Sequence, residues 1–270
     1  MEVELLDPSG EVDNSTRVGS GDADFCLSRV AGHLVAAAGD EGLAARFVAV
    51  IVRRSPIGAF MPASSPAVRP GDLSGLRVAG AAWAMAEFVG GMAELGLHPP
   101  VVVPMSRSTG GGLLQEACTM LARGEIDAVA DYEDLLPRAR RHSGINVRSV
   151  NLGLDVYSSG LVAADRVPPE LVERVVGAVV ATLERQRRDP GRGVVEVVSR
   201  NPRVVPDDAR EGWRLVEPRV FTGDPPGSMA ADRWAASVAY LAKAHRVAVP
   251  VERMYRSDLQ PVSQPVSIIR

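Results

Sequence analysis

The side chains best suited to chemistry lie where predicted strands give way to loops or helices. Arg17 precedes the glycine-rich turn 19–21, and its planar guanidinium suits a carboxylate, sulfonate or sulfinate. A solvated loop arginine is the alternative. Trp83 opens a predicted helix directly after a strand, so it is either a stacking surface for an aromatic ligand or a core residue. With Ala82 and Ala84 it supplies the free N–H groups of a first helical turn, which bind anions.

Two further candidates end a predicted strand in the middle of the chain. Asp131 and Tyr132 follow the apolar run 126–130. Ligands of open α/β sheets bind outside the carboxyl ends of strands. We therefore predict that both residues contact a ligand, whereas Glu133 and Asp134 are interpreted as the start of a helix, where carboxylates complement the dipole.

The other candidates lie in connecting segments. Tyr157 and Ser158 belong to an extended run predicted to carry the chain between two parts of the fold. Ser28 follows a short predicted strand and is predicted to be the N-cap of the next helix, on a side that also faces a ligand. Ser9, in the turn 7–10, completes the predicted ligand-binding set.

Other chemistry-bearing residues form no catalytic or metal-binding pattern. The cysteines Cys26 and Cys118 are far apart in sequence, and small buried thiols are the expected state. No Cys-x-x-Cys or His-x-x-x-His spacing occurs, and no Ser–His–Asp or Cys–His set can be assembled. The sequence predicts no metal site and no cofactor.

Composition describes a globular α/β chain with a small-molecule partner. The 270 residues carry a net charge of −3, with 46% apolar and 23% charged residues. That charge, with no basic run on one face, predicts no nucleic-acid partner. No apolar run approaches the roughly 20 residues that span a bilayer.

The elements that must position these residues are clearest in the stretch 73–155. Short Val-rich runs alternate there with helical patterns, which is typical of a parallel sheet covered on both faces. The predicted strands are 76–81, 99–105, 126–130 and 145–152, and the longer predicted helices are 83–95 and 113–123.

The remaining chain predicts a second α/β unit. Residues 63–70 are rich in Pro and Ser and are predicted to be the crossover out of the first unit. The extended run 156–163 is predicted to return the chain. We therefore predict two α/β lobes, one formed by 1–60 with 157–270 and one by 61–156, with a ligand cleft between them.

Four segments resemble type II periplasmic substrate-binding proteins. Residues 19–25 (GSGDADF) resemble their "G-x-x-D-F/V" turn and strand, and residues 72–80 (DLSGLRVAG) resemble the "D-L-x-G-K-x-I-G-V" entry to the second lobe. Residues 160–164 and 231–234 are similar to the NMT1/THI5-like subgroup. This resemblance implies two Rossmann-like lobes, an ABC-type importer with its permease as partner, and a sulfonate, taurine, nitrate or pyrimidine ligand. In that family a further strand and helix normally precede the position of Met1.

A second, local resemblance points to enzymes on the same fold. Residues 16–19 (TRVG) are similar to the "R-x-G-G" segment of aromatic sulfinate desulfinases, which implies that Arg17 holds an anionic group. The nucleophilic cysteine of that family has no counterpart here. An enzyme of this kind would be a decarboxylase, desulfinase or dehydratase acting on a small aromatic or cyclic acid. Its acid–base groups would come from Asp131, Tyr132, Tyr157 or His33.

Two interpretations therefore stay open, and the binding protein leads. It needs no catalytic group and would close two lobes on a small anionic or aromatic solute. The sequence as written shows no signal peptide, which predicts a cytoplasmic location and favours the enzyme. An extracytoplasmic location follows if the chain is truncated at its N-terminus.

Overall fold

The computed structural model describes residues 3–6, 14–105 and 112–258. Within these ranges, eight strands form two sheets, with helices packed around them. The strands are β1 Phe25–Arg29, β2 Ala45–Val52, β3 Ile57–Pro62, β4 Arg77–Ala79, β5 Val101–Val102, β6 Ala128–Tyr132, β7 Val147–Asn151 and β8 Ser159–Ala164. The helices are α1 Asn14–Ser20, α2 Val30–Gly39, α3 Ala82–Glu94, α4 Leu113–Ala122, α5 Leu136–Ser143, α6 Pro169–Arg188, α7 Pro190–Arg200, α8 Pro206–Val220 and α9 Ala231–His245.

The first sheet has three strands in the order β1-β8-β2, and β8 is antiparallel to both neighbours. Phe47, Val50 and Val162 are fully buried in it, as expected for β-branched and aromatic residues on a packed pleated surface. The apolar residues at the start of the sequence predict a further strand at 2–6, but residues 3–6 are not in a strand.

The second sheet has five strands in the order β5-β4-β6-β3-β7. β4 is parallel to β5 and β6, whereas β3 is antiparallel to β6 and β7. The four strands predicted in the central stretch therefore point the same way, but the prediction of a wholly parallel sheet is wrong. β3 comes straight from the first sheet without a crossover helix, so it can enter antiparallel between β6 and β7.

Two short segments connect the sheets, residues 53–56 and 152–158. The crossover predicted at 63–70 is wrong, because Ile57 already pairs with Tyr132 in the second sheet. Arg53 in the first connection is 1% exposed, and its guanidinium donates to the carbonyl of Ser228 at 2.6 Å. The division into 1–60 with 157–270 and 61–156 stays a prediction.

The C-terminal helices tie the two sheets together. α9 packs against α2 and α3, while α8 packs against α5 and the 3-10 turn Glu133–Leu135. Arg219 of α8 forms an ion pair with the buried Glu133 at the end of β6. One apolar core contains Phe47 from the first sheet, Met61 from the second and Trp234 from α9. Among the described helices, none is both long and apolar enough to span a membrane.

Close packing of α3 on α9 depends on a glycine. A methyl group added at Gly90 would lie 2.6 Å from the Cβ of Ala244 and 3.2 Å from its Cα. We expect Gly90→Ala to lower the free energy of unfolding by about 1–3 kcal/mol, because overpacking pushes the helices apart. Urea unfolding of the variant and the wild type measures this difference in free energy.

Gly39, the last residue of α2, is the matched control. A methyl group added there meets nothing within 4 Å. Gly39→Ala should raise the free energy of unfolding by about 0.4–1 kcal/mol, since it reduces the conformational freedom of the unfolded chain. Equal effects at both positions would contradict the packing argument.

Candidate functional site

Three of the predicted site residues come together at the carboxyl ends of β4 and β6. Trp83 begins α3 just after β4, and Asp131 and Tyr132 end the parallel strand β6. The rings of Trp83 and Tyr132 meet edge to face with centroids 5.0 Å apart. The structure therefore brings these three predicted residues together, because strands that run parallel bring their ends to one edge of the sheet.

Arg29 completes the site from the other sheet, and the sequence analysis missed it. It ends β1, and its guanidinium carbon lies 3.7 Å from the centroid of the Trp83 ring. Such a cation–π contact is worth about 0.5–2 kcal/mol. Within the described ranges no carboxylate lies at ion-pair distance from this guanidinium. The sequence feature that could have identified Arg29 is its position between a strand and a helix, where ligand-binding residues of α/β folds often lie.

Glu87, one helical turn after Trp83, was also missed. Its side chain is buried (3% exposed), and its two carboxylate oxygens accept the Tyr132 hydroxyl at 3.0 and 3.1 Å. Burial raises the pKa of Glu87 to about 7, while the Tyr132 hydrogen bond and the charge of Arg29 limit the rise and Asp131 adds to it. A glutamate in an apolar helical stretch gives no signal by itself.

Asp131 is the second buried carboxyl of the site. It is 6% exposed, and its Oδ1 accepts the main-chain N–H of Tyr132 at 2.8 Å. Burial is the main reason that the pKa of Asp131 rises to about 7. The charge of Asp134 adds to this rise, whereas the hydrogen bond from the Tyr132 N–H and the charge of Arg29 oppose it. Burial and the nearby Glu87 also hold the pKa of the Tyr132 phenol well above its usual range. Tyr132 therefore stays protonated at neutral pH.

A cavity of about 180 Å³ opens beside these residues. Trp83, Asp131 and Arg138 line it together with Gly80 and Ala117. Its volume is below the roughly 300–1,000 Å³ of drug-sized sites, so it suits a small solute or part of a larger one.

The first turn of α3 borders this cavity. Ala82 is exposed, Ala84 is buried, and Ala81 precedes the helix without a side-chain cap. The carbonyl of Ala81 accepts from Met85, which leaves the three preceding N–H groups outside the helical pattern. With the positive end of the helix dipole they favour a negative charge.

Two serines support the site from the first sheet. Ser28 lies in β1, and α2 begins after Arg29 without a side-chain cap, so the prediction of Ser28 as N-cap is wrong. The Ser28 hydroxyl instead accepts from Ser15 at 3.0 Å and donates to the carbonyl of Arg29 at 3.2 Å. Ser158 lies in the connection just before β8 and is 5% exposed.

The structure places other predicted site residues elsewhere. Tyr157 is 1% exposed; its hydroxyl accepts the N–H of Ala230 and its ring meets Trp234, so it is a core residue. Arg17 lies in α1 and not in a loop, because Asn14–Ser20 folds as a helix. Ser9 lies outside the described residues.

The two cysteines and His33 are not among the residues that the structure gathers around Trp83 and Tyr132. Cys118 is fully buried in α4, where burial raises its pKa to about 12, and Cys26 is partly buried in β1; neither forms a disulfide. His33 is fully buried in α2 against the ring of Phe47. The described residues contain no cluster of His, Cys, Asp and Glu that would hold a metal ion.

Solved structures share this architecture at low sequence identity. The periplasmic aliphatic sulphonate-binding protein SsuA from Escherichia coli superposes with a TM-score of 0.69 at 15% identity, over 92% of this chain and 80% of that one. The sulfonate-binding protein SsuA from Methylobacillus flagellatus KT gives 0.64 at 18%, over 91% and 76%. A DszB mutant in complex with biphenyl-2-sulfinic acid gives 0.60 at 17%, over 90% and 85%. The fold is therefore that of type II periplasmic binding proteins.

Sequence comparison assigns the family. No curated protein matches the chain. The family model described as NMT1/THI5 like matches residues 1–190, which is well over half of the chain. The resemblance seen in the sequence is therefore confirmed: this protein belongs to the NMT1/THI5-like family.

Proposed function

We propose that this protein is the solute-binding component of an ABC-type importer and binds a small organic anion of the sulfonate or sulfinate class. The observation that carries the proposal is the guanidinium of Arg29. Arg29 reaches from the first sheet onto the ring of Trp83 in α3, the helix that follows β4 of the second sheet. No carboxylate of the described residues pairs with this guanidinium. The solute would then be held between the two lobes.

The chemistry of the site suits such an anion. A guanidinium that stacks on an aromatic ring keeps its N–H edge free for the oxygens of a sulfonate or carboxylate. The first turn of α3 adds N–H donors, and Trp83 and Tyr132 offer aromatic surface to the organic part. Because importers collect solutes outside the cytoplasmic membrane, the proposed site of action is extracytoplasmic.

The comparisons support the same class. The family contains this chain, and two of the similar structures are sulfonate-binding proteins. A third holds a sulfinic acid. An anionic sulfur acid is thus the first class of solute to test.

A second candidate function is acid–base catalysis on a small organic acid. One observation favours it: Glu87 and Asp131 both have pKa values of about 7 and flank Tyr132. Carboxyl groups with pKa values near the working pH are suited to proton transfer.

A binding screen tests the proposal. Purified protein is heated with ethanesulfonate, benzenesulfonate, biphenyl-2-sulfinate, benzoate or inorganic sulfate. A true solute at a hundred times its Kd should add about 2.7 kcal/mol of stability. Mass spectrometry of each bound compound after incubation separates binding from turnover. Stabilisation by none of the organic anions would refute the binding function, and conversion of a bound acid would favour the enzyme.

A further inference from the structure

Glu87 lies directly behind Tyr132, the tyrosine whose ring contacts Trp83. Its carboxyl is buried, and both of its oxygens accept one and the same hydroxyl, that of Tyr132. Among the described residues no second donor reaches this carboxyl. A carboxylate can accept about four hydrogen bonds, so this one is poorly satisfied as an anion.

The other groups around Glu87 do not neutralise it. Arg29 of β1 attracts its charge, although no ion pair joins the two among the described residues, and Asp131 of β6 repels it. Tyr240 of α9 donates to the main-chain carbonyl of Glu87 and not to its carboxylate. Burial of a carboxylate with so little compensation disfavours the charged form. The resulting pKa of about 7 lets Glu87 gain or lose its proton near neutral pH.

The protonation of Glu87 decides what Tyr132 offers to a ligand. When Glu87 is ionised, it can only accept, so the Tyr132 proton is committed to it and the phenol has no proton left for a ligand. When Glu87 is neutral, its own proton can be donated to the Tyr132 oxygen. The phenolic proton is then free to turn towards the site, where it can bond an anion.

We propose that Glu87 is a positioning residue that sets the direction of the Tyr132 hydrogen bond, and that the site takes up one proton at Glu87 when it binds an anion. This inference rests on the proposed anion-binding function. An anion beside Tyr132 and Arg29 would hold the proton on Glu87 more firmly. By reciprocity, deprotonation of Glu87 as pH rises weakens anion binding.

Titration calorimetry with benzenesulfonate, which stays anionic throughout, tests this at pH 6 and pH 8. The wild-type Kd should rise by about tenfold between them, as one linked proton with a pKa near 7 requires. Two buffers with different ionisation enthalpies should report the uptake of up to one proton. In an Asp131→Asn background, which removes the other carboxyl of the site that titrates in this range, Glu87→Gln donates an N–H to Tyr132 at both pH values, so the Kd of this double variant should change by less than about twofold.

Two further variants separate Glu87 from its neighbours. Asp131→Asn removes the other carboxyl that titrates in this range but does not contact the Tyr132 hydroxyl, so the pH effect should survive. Tyr132→Phe removes the hydroxyl, so the effect should disappear. Thermal unfolding confirms that each variant is folded. The inference is overturned if Asp131→Asn loses the pH effect, or if the double variant Glu87→Gln/Asp131→Asn keeps the pH effect of Asp131→Asn.

Failure of the proposed function would look different, because no organic anion would bind at either pH. Infrared difference spectra of the ligand-free wild type against Glu87→Gln then test the proton alone. A protonated carboxyl band present at pH 6 and lost at pH 8 supports the switch at Tyr132. A band that persists at pH 8, or is missing at pH 6, overturns it.

Discussion

Arg29→Ala is expected to weaken the binding of a small sulfonate by about thirtyfold or more. Removing one partner of a buried, hydrogen-bonded charge pair costs about 2–5 kcal/mol, and each 1.4 kcal/mol is tenfold in Kd. The loss should be specific to binding, because Arg29 is only partly buried and its described contact is with the Trp83 ring. Titration calorimetry at pH 6 measures the change, and urea unfolding shows whether the fold is kept.

Two controls sharpen this prediction. Arg29→Lys keeps the charge but loses the planar fork, so an intermediate loss is expected. Arg123→Ala removes an arginine that follows α4, is 69% exposed and pairs with Glu125, and it should leave the Kd unchanged. A wild-type Kd in Arg29→Ala would remove the basis of the proposed function.

Trp234→Ala should lower the free energy of unfolding by about 3–5 kcal/mol. Trp234 is fully buried and stacks on Tyr255 with ring planes 2° apart and centroids at 5.2 Å. Phe47 and Tyr157 contact it at 5.2 and 5.3 Å. Because α9 brings this ring to the first sheet, the cavity left by alanine would lie in the core shared by both sheets. Since proteins have only about 5–15 kcal/mol of stability, such a loss is severe.

Trp83→Ala is the matched comparison for Trp234→Ala. Trp83 is only partly buried and supports Arg29 at the site. We expect a small change in the urea midpoint but clearly weaker sulfonate binding, since Arg29 loses its platform. A large loss of stability in this variant, or none in Trp234→Ala, would contradict the assignment of one tryptophan to the site and the other to the core.

Local patterns in the sequence were enough for most of the second sheet. The helix predicted at 113–123 is observed as Leu113–Ala122, and the run 126–130 leads into β6. Hydrophobic periodicity is a local property, so it survives folding almost unchanged. The same patterns placed Trp83, Asp131 and Tyr132 next to strand ends, and the structure brings the three residues together.

Long-range packing decided what the sequence misassigned. Tyr157 looked like a hinge residue, but Ala230 and Trp234, far along the chain, enclose it in the core. Arg17 looked like a loop arginine, yet its segment is helical. The residues next to Tyr157 in sequence do not indicate its contacts with Ala230 and Trp234.

The amino-acid sequence by itself determined the strand–helix order of the central stretch, the family, and the position of Trp83, Asp131 and Tyr132 beside strand ends of the second sheet. The tertiary structure alone decided that β3 enters antiparallel and that Arg29 reaches Trp83 from the first sheet. It also decided that Glu87 is buried behind Tyr132. The reason is physical: periodicity and strand ends are set by neighbouring residues, whereas pairing across sheets and the burial of a charge depend on surfaces that meet only in the folded chain.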